Sequence, residues 1–327
     1  MRAAFYREQG PAKAVFQVGE QPTPEPAAGE VLVKLRTSGV NPSDWKIRQG
    51  GFGRKLTAPV IIPHSDGAGD ICAVGPGVAP SRVGERVWIW NGQWKRAFGT
   101  AAEYIALPGK QAVRLPDGVD YAVGACLGIP ALTAVQAVRL AEIDADSIVL
   151  VTGGAGSVGN YATQFAKARG ARVIATVSSE VKAEHACAAG ADEIVNYRAG
   201  NVGERIMELT GGRGVDAVIE TNLSANAAFY PSILRPFAAV AVYGTASNES
   251  TVPARWLMQN SITMRFFLIY EISESDREAG ISEVTDLLRQ GKLVHTIARR
   301  FPLKDIAEAH DLVERGTEIG KVILDID

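Results

Sequence analysis

A glycine-rich turn between an apolar run and an amphipathic segment is the feature that most constrains the fold. Gly153, Gly156 and Gly159 follow "IVLV" and open the helix-like stretch "SVGNYATQFAKARG". Residues without a Cβ permit a tight turn and a close approach to pyrophosphate, and a helix N-terminus offers amide donors. We therefore predict a dinucleotide site here, with Ser157 and Val158 also in contact. A turn with a purely structural role is the alternative.

Strand-like and helical segments alternate after this turn, as in "ARVIATV", "SEVKAEHACAAG" and "VDAVIET". Such alternation predicts βαβ units and a parallel sheet. The first third instead carries short apolar runs between Gly and Pro, such as "EVLVKLRTSGV" from Glu30, which predicts mainly antiparallel β-structure. A chain of 327 residues is too long for one ordinary core. The predicted fold class is α/β, with a Rossmann doubly wound parallel sheet and a second, mainly β domain.

The residue at the end of the second strand bears on the choice of cofactor. An NAD site usually ends this strand with Asp or Glu, whose carboxylate accepts hydrogen bonds from the adenosine ribose, but Val177 stands here. Ser178, Ser179 and Lys182 can offer hydroxyls and an ammonium to a 2′-phosphate, so the predicted cofactor is NADPH. In the alternative reading Lys182 is an ordinary solvated lysine and Glu180 binds the ribose.

Composition excludes several other classes of protein. The net charge is −2 and no Lys/Arg-rich run is present, so nucleic acid is not an expected partner. No stretch of 18 or more apolar residues occurs, so we expect no membrane partner and a cytoplasmic location. Cys72, Cys126 and Cys187 are widely spaced, which predicts reduced packing residues rather than disulfides or a metal knuckle.

Several segments in the same order carry a family resemblance: "VNPSDWKIRQG", "SDGAGDICAVGPGV", "LGIPALTAVQAV", "VNYR" and "GKVILDID". With the glycine turn, they resemble the zinc-independent, zeta-crystallin-like NADPH:quinone oxidoreductases of the medium-chain dehydrogenase/reductase superfamily. The resemblance implies a GroES-like substrate domain over 1–127 and 271–327 and a Rossmann domain over 128–270. It also implies a homodimer joined near the apolar strand "SITMRFFLIY".

The same resemblance implies site residues. Asn41 and Asp44 match the Asn-x-x-Asp/Glu pattern near the nicotinamide and its ribose, and they are the expected catalytic residues. The further positions expected to contact the cofactor are Thr133, Tyr197, Gly244 and Lys321. Tyr197 also has a plain reading as an aromatic residue at a strand end. Relatives often carry tyrosines in the segment after Asn41, where this chain has Lys46 and Phe52, so roles given to those tyrosines do not transfer.

Zinc-dependent members of the superfamily hold the metal with an early Cys, a His-Glu pair and a later Cys. Here Asn41 stands at the first Cys and Ser65-Asp66 at the His-Glu pair, and no cluster of four Cys exists. A catalytic zinc needs three protein ligands, so we expect no metal, and His64 is expected to be a polar residue of the substrate site or a structural histidine. Without a Lewis acid the substrate must be intrinsically electrophilic, as quinones and conjugated enones are.

Aromatic residues in "VWIWNGQWKRAFGTAAEY" could stack on a planar acceptor. Trp90 and Trp94 are predicted to contact substrate, together with Phe52 and His64. In the alternative reading these aromatic residues pack the β core, where alternation puts Trp88 on the same face as Trp90.

Two rival functions stay open at this point. One is an NADPH-dependent enoyl or 2-alkenal reductase, for which four basic residues could bind an acidic tail: Lys46, Arg48, Lys95 and Arg96. The other is a non-catalytic NADPH-binding or structural protein.

Overall fold

The computed structural model describes residues 1–53 and 55–326, and the chain divides into two compact units. The first unit comprises Met1–Ile129, Thr285–Gly291 and the chain from His295 onward, and the second comprises Pro130–Val284 and Lys292–Val294. The domain boundaries at 127/128 and 270/271 stay a prediction, and residues 271–284 pack within the second unit.

The elements follow one another in three stretches. Those before residue 129 are β1 (Arg2–Phe5), α1 (Ala12–Val15), β2 (Gln17–Glu20), β3 (Glu30–Val40), α2 (Pro42–Arg48), β4 (Asp66–Val74), β5 (Arg86–Ile89), β6 (Tyr104–Pro108), β7 (Ala112–Arg114) and α3 (Tyr121–Gly124). The central ones are α4 (Leu132–Leu140), β8 (Ile148–Val151), α5 (Ser157–Ala168), β9 (Arg172–Val177), α6 (Glu180–Ala188), β10 (Glu193–Asn196), α7 (Val202–Leu209), β11 (Val215–Glu220), α8 (Leu223–Asn226), β12 (Leu234–Val242), α9 (Ala254–Gln259) and β13 (Thr263–Phe266). The last are α10 (Glu274–Arg289), β14 (Ile297–Pro302), α11 (Ile306–Arg315) and β15 (Lys321–Asp325).

The first unit is built around the long strand β3. This strand pairs antiparallel with β4, β6 and β15, and the sheet continues from β4 through β5 to β7. Its apolar residues alternate with polar ones, so Val31, Val33 and Leu35 enter the core while Lys34 and Arg36 point away from it. The antiparallel β-structure predicted for the first third is therefore confirmed.

The second unit contains a six-stranded parallel sheet in the order β10-β9-β8-β11-β12-β13. The strand order reverses between β8 and β11, which are adjacent although two helix–strand pairs separate them in sequence. Ligands of open α/β sheets bind outside the carboxyl ends of the strands at such a reversal. The predicted βαβ units are confirmed, and the glycine turn lies at the carboxyl end of β8. None of the helices in the described residues is long and apolar enough to cross a membrane.

Candidate active site

The glycine turn joins β8 to α5 and is shaped by close backbone packing. Gly153 has φ +66°, in the region that L side chains rarely adopt, and its N–H donates to Thr176 Oγ1 at 3.0 Å. A Cβ on Gly159 would lie 2.3 Å from the carbonyl oxygen of Gly153, so the first turn of α5 tolerates no side chain there. Gly156 is the N-cap residue, and Ser157 and Val158 form the first turn of the helix.

A fourth glycine, Gly154, was not singled out in the sequence. A Cβ there would lie 2.7 Å from the Cβ of Ala175 on β9, and the N–H of Gly154 donates to the carbonyl of Thr176 at 3.0 Å. The glycine turn therefore packs directly on the neighbouring strand.

The carboxyl end of β9 lies next to this turn. Val177 is buried, while Ser178 is half-buried and Ser179 is exposed. Ser179 caps α6, accepting a hydrogen bond from the N–H of Lys182, and the side chain of Lys182 is partly exposed. Tyr197 lies beside this strand end, since its N–H donates to the carbonyl of Val177 at 3.0 Å and its side chain is 49% exposed.

The other predicted cofactor contacts of the second unit are Thr133 and Gly244. Thr133 lies on α4 and is buried, and its Oγ1 has no hydrogen-bond partner among the described residues. A buried hydroxyl without a partner is the kind of group that a bound ligand satisfies. Gly244 follows β12, and its carbonyl accepts the N–H of Leu223 at 3.1 Å.

A buried carboxylate at the strand-order reversal was missed by the sequence analysis. Glu220 ends β11, and its Oε1 accepts from Thr152 Oγ1 at 3.0 Å, Asn222 N at 2.6 Å and Asn226 Nδ2 at 2.8 Å. Its Oε2 accepts from Tyr230 at 2.9 Å. This carboxylate links the residue before the glycine turn to the loop after β11. An acidic residue ending an apolar strand is the sequence signal that could have identified it.

In the first unit, the end of β3 brings Asn41 against two charged residues. Gly39 pairs with Asp66 at the start of β4, and Val40 pairs with Val322, one residue beyond Lys321 at the start of β15. Asn41 Nδ2 donates to Asp66 Oδ2 at 2.8 Å, and Lys321 Nζ donates to Asn41 Oδ1 and, at 2.9 Å, to Asp66 Oδ2. All three side chains are buried. We call this group the Asn41–Asp66–Lys321 triad.

Asp44 lies beside the triad at the start of α2. Asn41 is the N-cap residue of this helix, Pro42 follows where no amide hydrogen is needed, and the N–H of Asn41 donates to Asp44 Oδ2 at 2.7 Å. Burial raises the pKa of the Asp44 carboxyl to about 7, while the Asn41 amide and the Lys321 ammonium partly oppose the shift. Asp44 can therefore hold a proton near neutral pH.

His64 is buried and both of its ring nitrogens are hydrogen-bonded. Nδ1 contacts Ser38 Oγ at 2.8 Å, and Nε2 contacts His310 Nε2 at 2.8 Å. Burial lowers the pKa of His64 to about 3, so the ring is neutral. A contact of His64 with substrate stays a prediction. His310 carried no signal in the sequence, since it comes 246 residues later.

The aromatic candidates differ in exposure. Trp88 is completely buried in the sheet, whereas Trp90 is 8% exposed and its Nε1 donates to the carbonyl of Lys110 at 3.2 Å. Trp94 is half-buried. The backbone of Phe52 lies in the short 3-10 helix Gly51–Gly53, but its side chain is outside the described part of the structure. Substrate contacts by Phe52, Trp90 and Trp94 stay predictions.

The described residues contain no cluster of three or more His, Cys, Asp and Glu placed to hold a metal ion. Arg48, one of the candidates for an acidic tail, is buried and donates to Glu314 Oε2 at 2.8 Å and to the carbonyl of Gly10. The Arg48 guanidinium is therefore paired with a carboxylate of the first unit instead of being free to bind the acidic tail of a substrate.

Comparisons with known proteins agree with this architecture. Residues 27–117 match the alcohol dehydrogenase GroES-like domain, and residues 157–286 match the zinc-binding dehydrogenase family. These matches confirm the predicted fold class, a Rossmann parallel sheet with a GroES-like, mainly β domain.

Full-length relatives and structures are also similar to the chain. Quinone oxidoreductase of Rattus norvegicus is 31% identical over 327 residues, which is 99% of this chain and 97% of the relative. Among solved structures, an NAD-dependent alcohol dehydrogenase has a TM-score of 0.91 at 29% identity, with 100% of both chains covered. The quinone oxidoreductase of Escherichia coli in complex with NADPH has a TM-score of 0.88 at 27% identity, covering 99% of this chain and 100% of the other. Two domains of this kind define a medium-chain dehydrogenase/reductase, and the chain belongs to the zinc-independent quinone oxidoreductase family of that class.

Proposed function

We propose that the protein is an NADPH-dependent oxidoreductase that reduces quinones or similar conjugated carbonyl compounds. The observation that carries this proposal is the tightly packed glycine turn at the end of β8, in a chain similar over its whole length to quinone oxidoreductases. When bound, NADPH supplies a hydride. A quinone that accepts this hydride and one proton becomes a hydroquinone.

The second unit is proposed to hold the cofactor. Two observations support this proposal. Close packing of Gly159 on the Gly153 carbonyl keeps the turn tight at the N-terminus of α5, where amide groups can donate to a pyrophosphate. The buried hydroxyl of Thr133 has no hydrogen-bond partner among the described residues, so a bound ligand could supply one. The preference for NADPH rests on the end of β9, where Val177 offers no carboxylate and Ser178 and Lys182 offer donors to a 2′-phosphate.

The first unit is proposed to contribute Asn41 and Asp44 to the reaction. Asn41 is buried, and its carboxamide is hydrogen-bonded to both Asp66 and Lys321. A side chain held in one orientation is suited to orienting one end of the cofactor or the acceptor. Asp44 can hold a proton near neutral pH. Asn41→Ala and Asp44→Ala should therefore lower kcat more than they weaken NADPH binding.

An acceptor panel tests the proposal and separates it from the enone alternative. NADPH oxidation is measured with quinones, with 2-alkenals and enoyl compounds, and with simple ketones, each in parallel with NADH. We expect the highest kcat/KM with quinones and NADPH, and no turnover of simple ketones. Higher kcat/KM with the enones would favour the alternative reductase. Tight NADPH binding without turnover of any acceptor would favour a non-catalytic protein.

We also propose a homodimer joined through β13, the outer strand of the parallel sheet. Phe266 on this strand and Leu268 just after it are exposed. Two other apolar side chains of the second unit are largely exposed as well, Phe237 on β12 (79%) and Met258 on α9 (78%). An exposed apolar edge strand is a template for pairing with a second copy. Light scattering of Phe266→Glu should give a monomer, whereas Val83→Glu, an exposed apolar position of the first unit, should leave the dimer intact. A monomeric wild type would refute the proposal.

The cysteines support a reducing compartment. Cys72, Cys126 and Cys187 are all free thiols in the structure. Disulfides persist in oxidising compartments and are rare in the cytosol. We therefore propose a cytoplasmic location.

A further inference from the structure

The family that matches residues 157–286 is described as a zinc-binding dehydrogenase. The question is therefore whether the side chains at the expected ligand positions of this chain can coordinate zinc. Asn41 and Asp66 stand at positions where zinc-dependent members have ligands. In this structure both side chains contact Lys321, whose ammonium has three donors and no lone pair. Asp66 Oδ2 already accepts hydrogen bonds from Lys321 and Asn41. Asp66 Oδ1 has no hydrogen-bond partner among the described residues, but it would supply only one of the three protein ligands that a catalytic zinc needs.

His64 offers no free lone pair, because a chain of hydrogen bonds fixes its protons. Thr100 Oγ1 donates to the carbonyl of Asp66 at 2.6 Å, so Ser38 must donate to Thr100. The Ser38 hydrogen is then used, and His64 Nδ1 must donate to Ser38 Oγ. The neutral ring therefore accepts at Nε2, from His310. The donor set does not fit a zinc ion.

We propose that the ammonium of Lys321 takes the place of the metal cation, and that Lys321 is a positioning residue for the reaction. Lys321 can only donate. Burial raises the pKa of the Asp66 carboxyl, but the Lys321 ammonium and the hydrogen bond from Asn41 oppose that shift and favour the ionised form, which can only accept. Together they fix the carboxamide of Asn41 with Oδ1 toward the ammonium and Nδ2 toward the carboxylate. This inference rests on the proposed function, in which Asn41 contributes to the reaction.

The buried ion pair of Asp66 and Lys321 allows the positioning role of Lys321 to be distinguished from a purely structural one. Asp66 is completely buried, so its charge needs a cation, and removing Lys321 alone leaves a buried carboxylate without its partner. Replacing a buried ion pair by well-packed hydrophobic residues of similar volume is often neutral for stability. Asp66→Asn keeps an oxygen that can accept from Asn41 Nδ2, and Lys321→Met keeps an apolar side chain of similar length. A variant that is neutral at both positions should therefore fold normally and lack only the ammonium that holds Asn41.

The experiment compares wild type, Lys321→Met and the double variant Asp66→Asn/Lys321→Met. Lys167→Met is the control, because it removes a lysine whose ion pair with Asp192, at 2.8 Å, is partly exposed and lies in the second unit. Urea unfolding is measured for each variant, with the dissociation constant for NADPH and the kcat for a quinone. Metal analysis of the wild type completes the set.

We expect Lys321→Met to move the urea midpoint to lower concentration and the double variant to restore it. The double variant should still have a kcat lower by roughly 10- to 150-fold, as expected for the loss of a hydrogen bond to a charged group. Because Lys321 is also an expected cofactor contact, its NADPH affinity can fall as well, but by a smaller factor than kcat. If the double variant regains both the wild-type urea midpoint and the wild-type kcat, Lys321 only neutralises the charge of Asp66, and the proposal is overturned. One zinc per chain would also overturn it.

A different outcome marks failure of the proposed function. If the wild type oxidises no NADPH with any acceptor, hydrogen exchange of the Asn41 side-chain amide, followed by NMR, still tests the positioning. Exchange should be slow in the wild type and faster in the double variant. Equally slow exchange in both proteins would refute the role of Lys321 without reference to activity.

Discussion

Asp44→Asn should remove a specific part of the pH dependence of stability. Burial raises the pKa of Asp44 from 3.8 to about 7, so the folded protein binds this proton more tightly than the unfolded chain does. A raised pKa contributes stability that is fully present below the unfolded value. That stability is lost as the pH rises through the folded value.

The magnitude follows from these two pKa values. They differ by about 3 pKa units, and each unit corresponds to about 1.36 kcal/mol, so the whole contribution is about 4 kcal/mol. Between about pH 5 and about pH 8 the part that is lost is about 2.5 kcal/mol. Asparagine carries no proton that titrates, so Asp44→Asn should lack this loss.

The assay is urea unfolding of wild type and Asp44→Asn at the two pH values. For each protein, the free energy of unfolding at the higher pH is subtracted from that at the lower pH. Groups common to both proteins, such as His64 and His310, contribute nearly equally to the two changes and largely cancel when the changes are compared. Asp146→Asn, at an exposed position, controls for the simple loss of a carboxylate. If wild type and Asp44→Asn lose the same free energy of unfolding between the two pH values, Asp44 is not a buried carboxyl with a raised pKa.

Three further changes test other parts of the structure. Lys182→Ala should weaken NADPH binding by roughly 10- to 150-fold at low ionic strength and leave NADH binding nearly unchanged, and equal losses for both cofactors would contradict the phosphate contact. Gly159→Ala places a Cβ 2.3 Å from the oxygen of Gly153, so both the melting temperature and NADPH affinity should fall; an unchanged dissociation constant would argue against this turn as the cofactor site. Ser38→Ala leaves the Nδ1 hydrogen of buried His64 without a partner, so the free energy of unfolding should fall by about 1–3 kcal/mol. A change near zero would show that the hydrogen bonds linking Thr100, Ser38 and His64 are misassigned.

Patterns of residues close together in sequence were sufficient to predict the main elements of the fold. The alternation from Glu30 predicted β3 with the bounds that it has, and the glycine turn with its flanking segments predicted β8 and α5. These signals depend on residues close together in sequence, where the repeat of apolar residues reports directly on strand or helix.

The triad could not be predicted in the same way. Lys321 and Asn41 are 280 residues apart, and only the antiparallel pairing of β15 with β3 brings them together. From the sequence, Asp66 is only a position that does not match a zinc ligand of the zinc-dependent relatives. Contacts of this kind depend on strand register, which a single sequence does not specify for distant strands.

Metal-independent quinone reduction is tested by mixing the protein with NADPH and 1,4-naphthoquinone in the presence of a strong chelator. We expect oxidation of NADPH that depends on both enzyme and quinone, with one hydroquinone formed for each NADPH consumed. A rate no higher than that without enzyme, or a rate that returns only when zinc is added, would contradict this expectation.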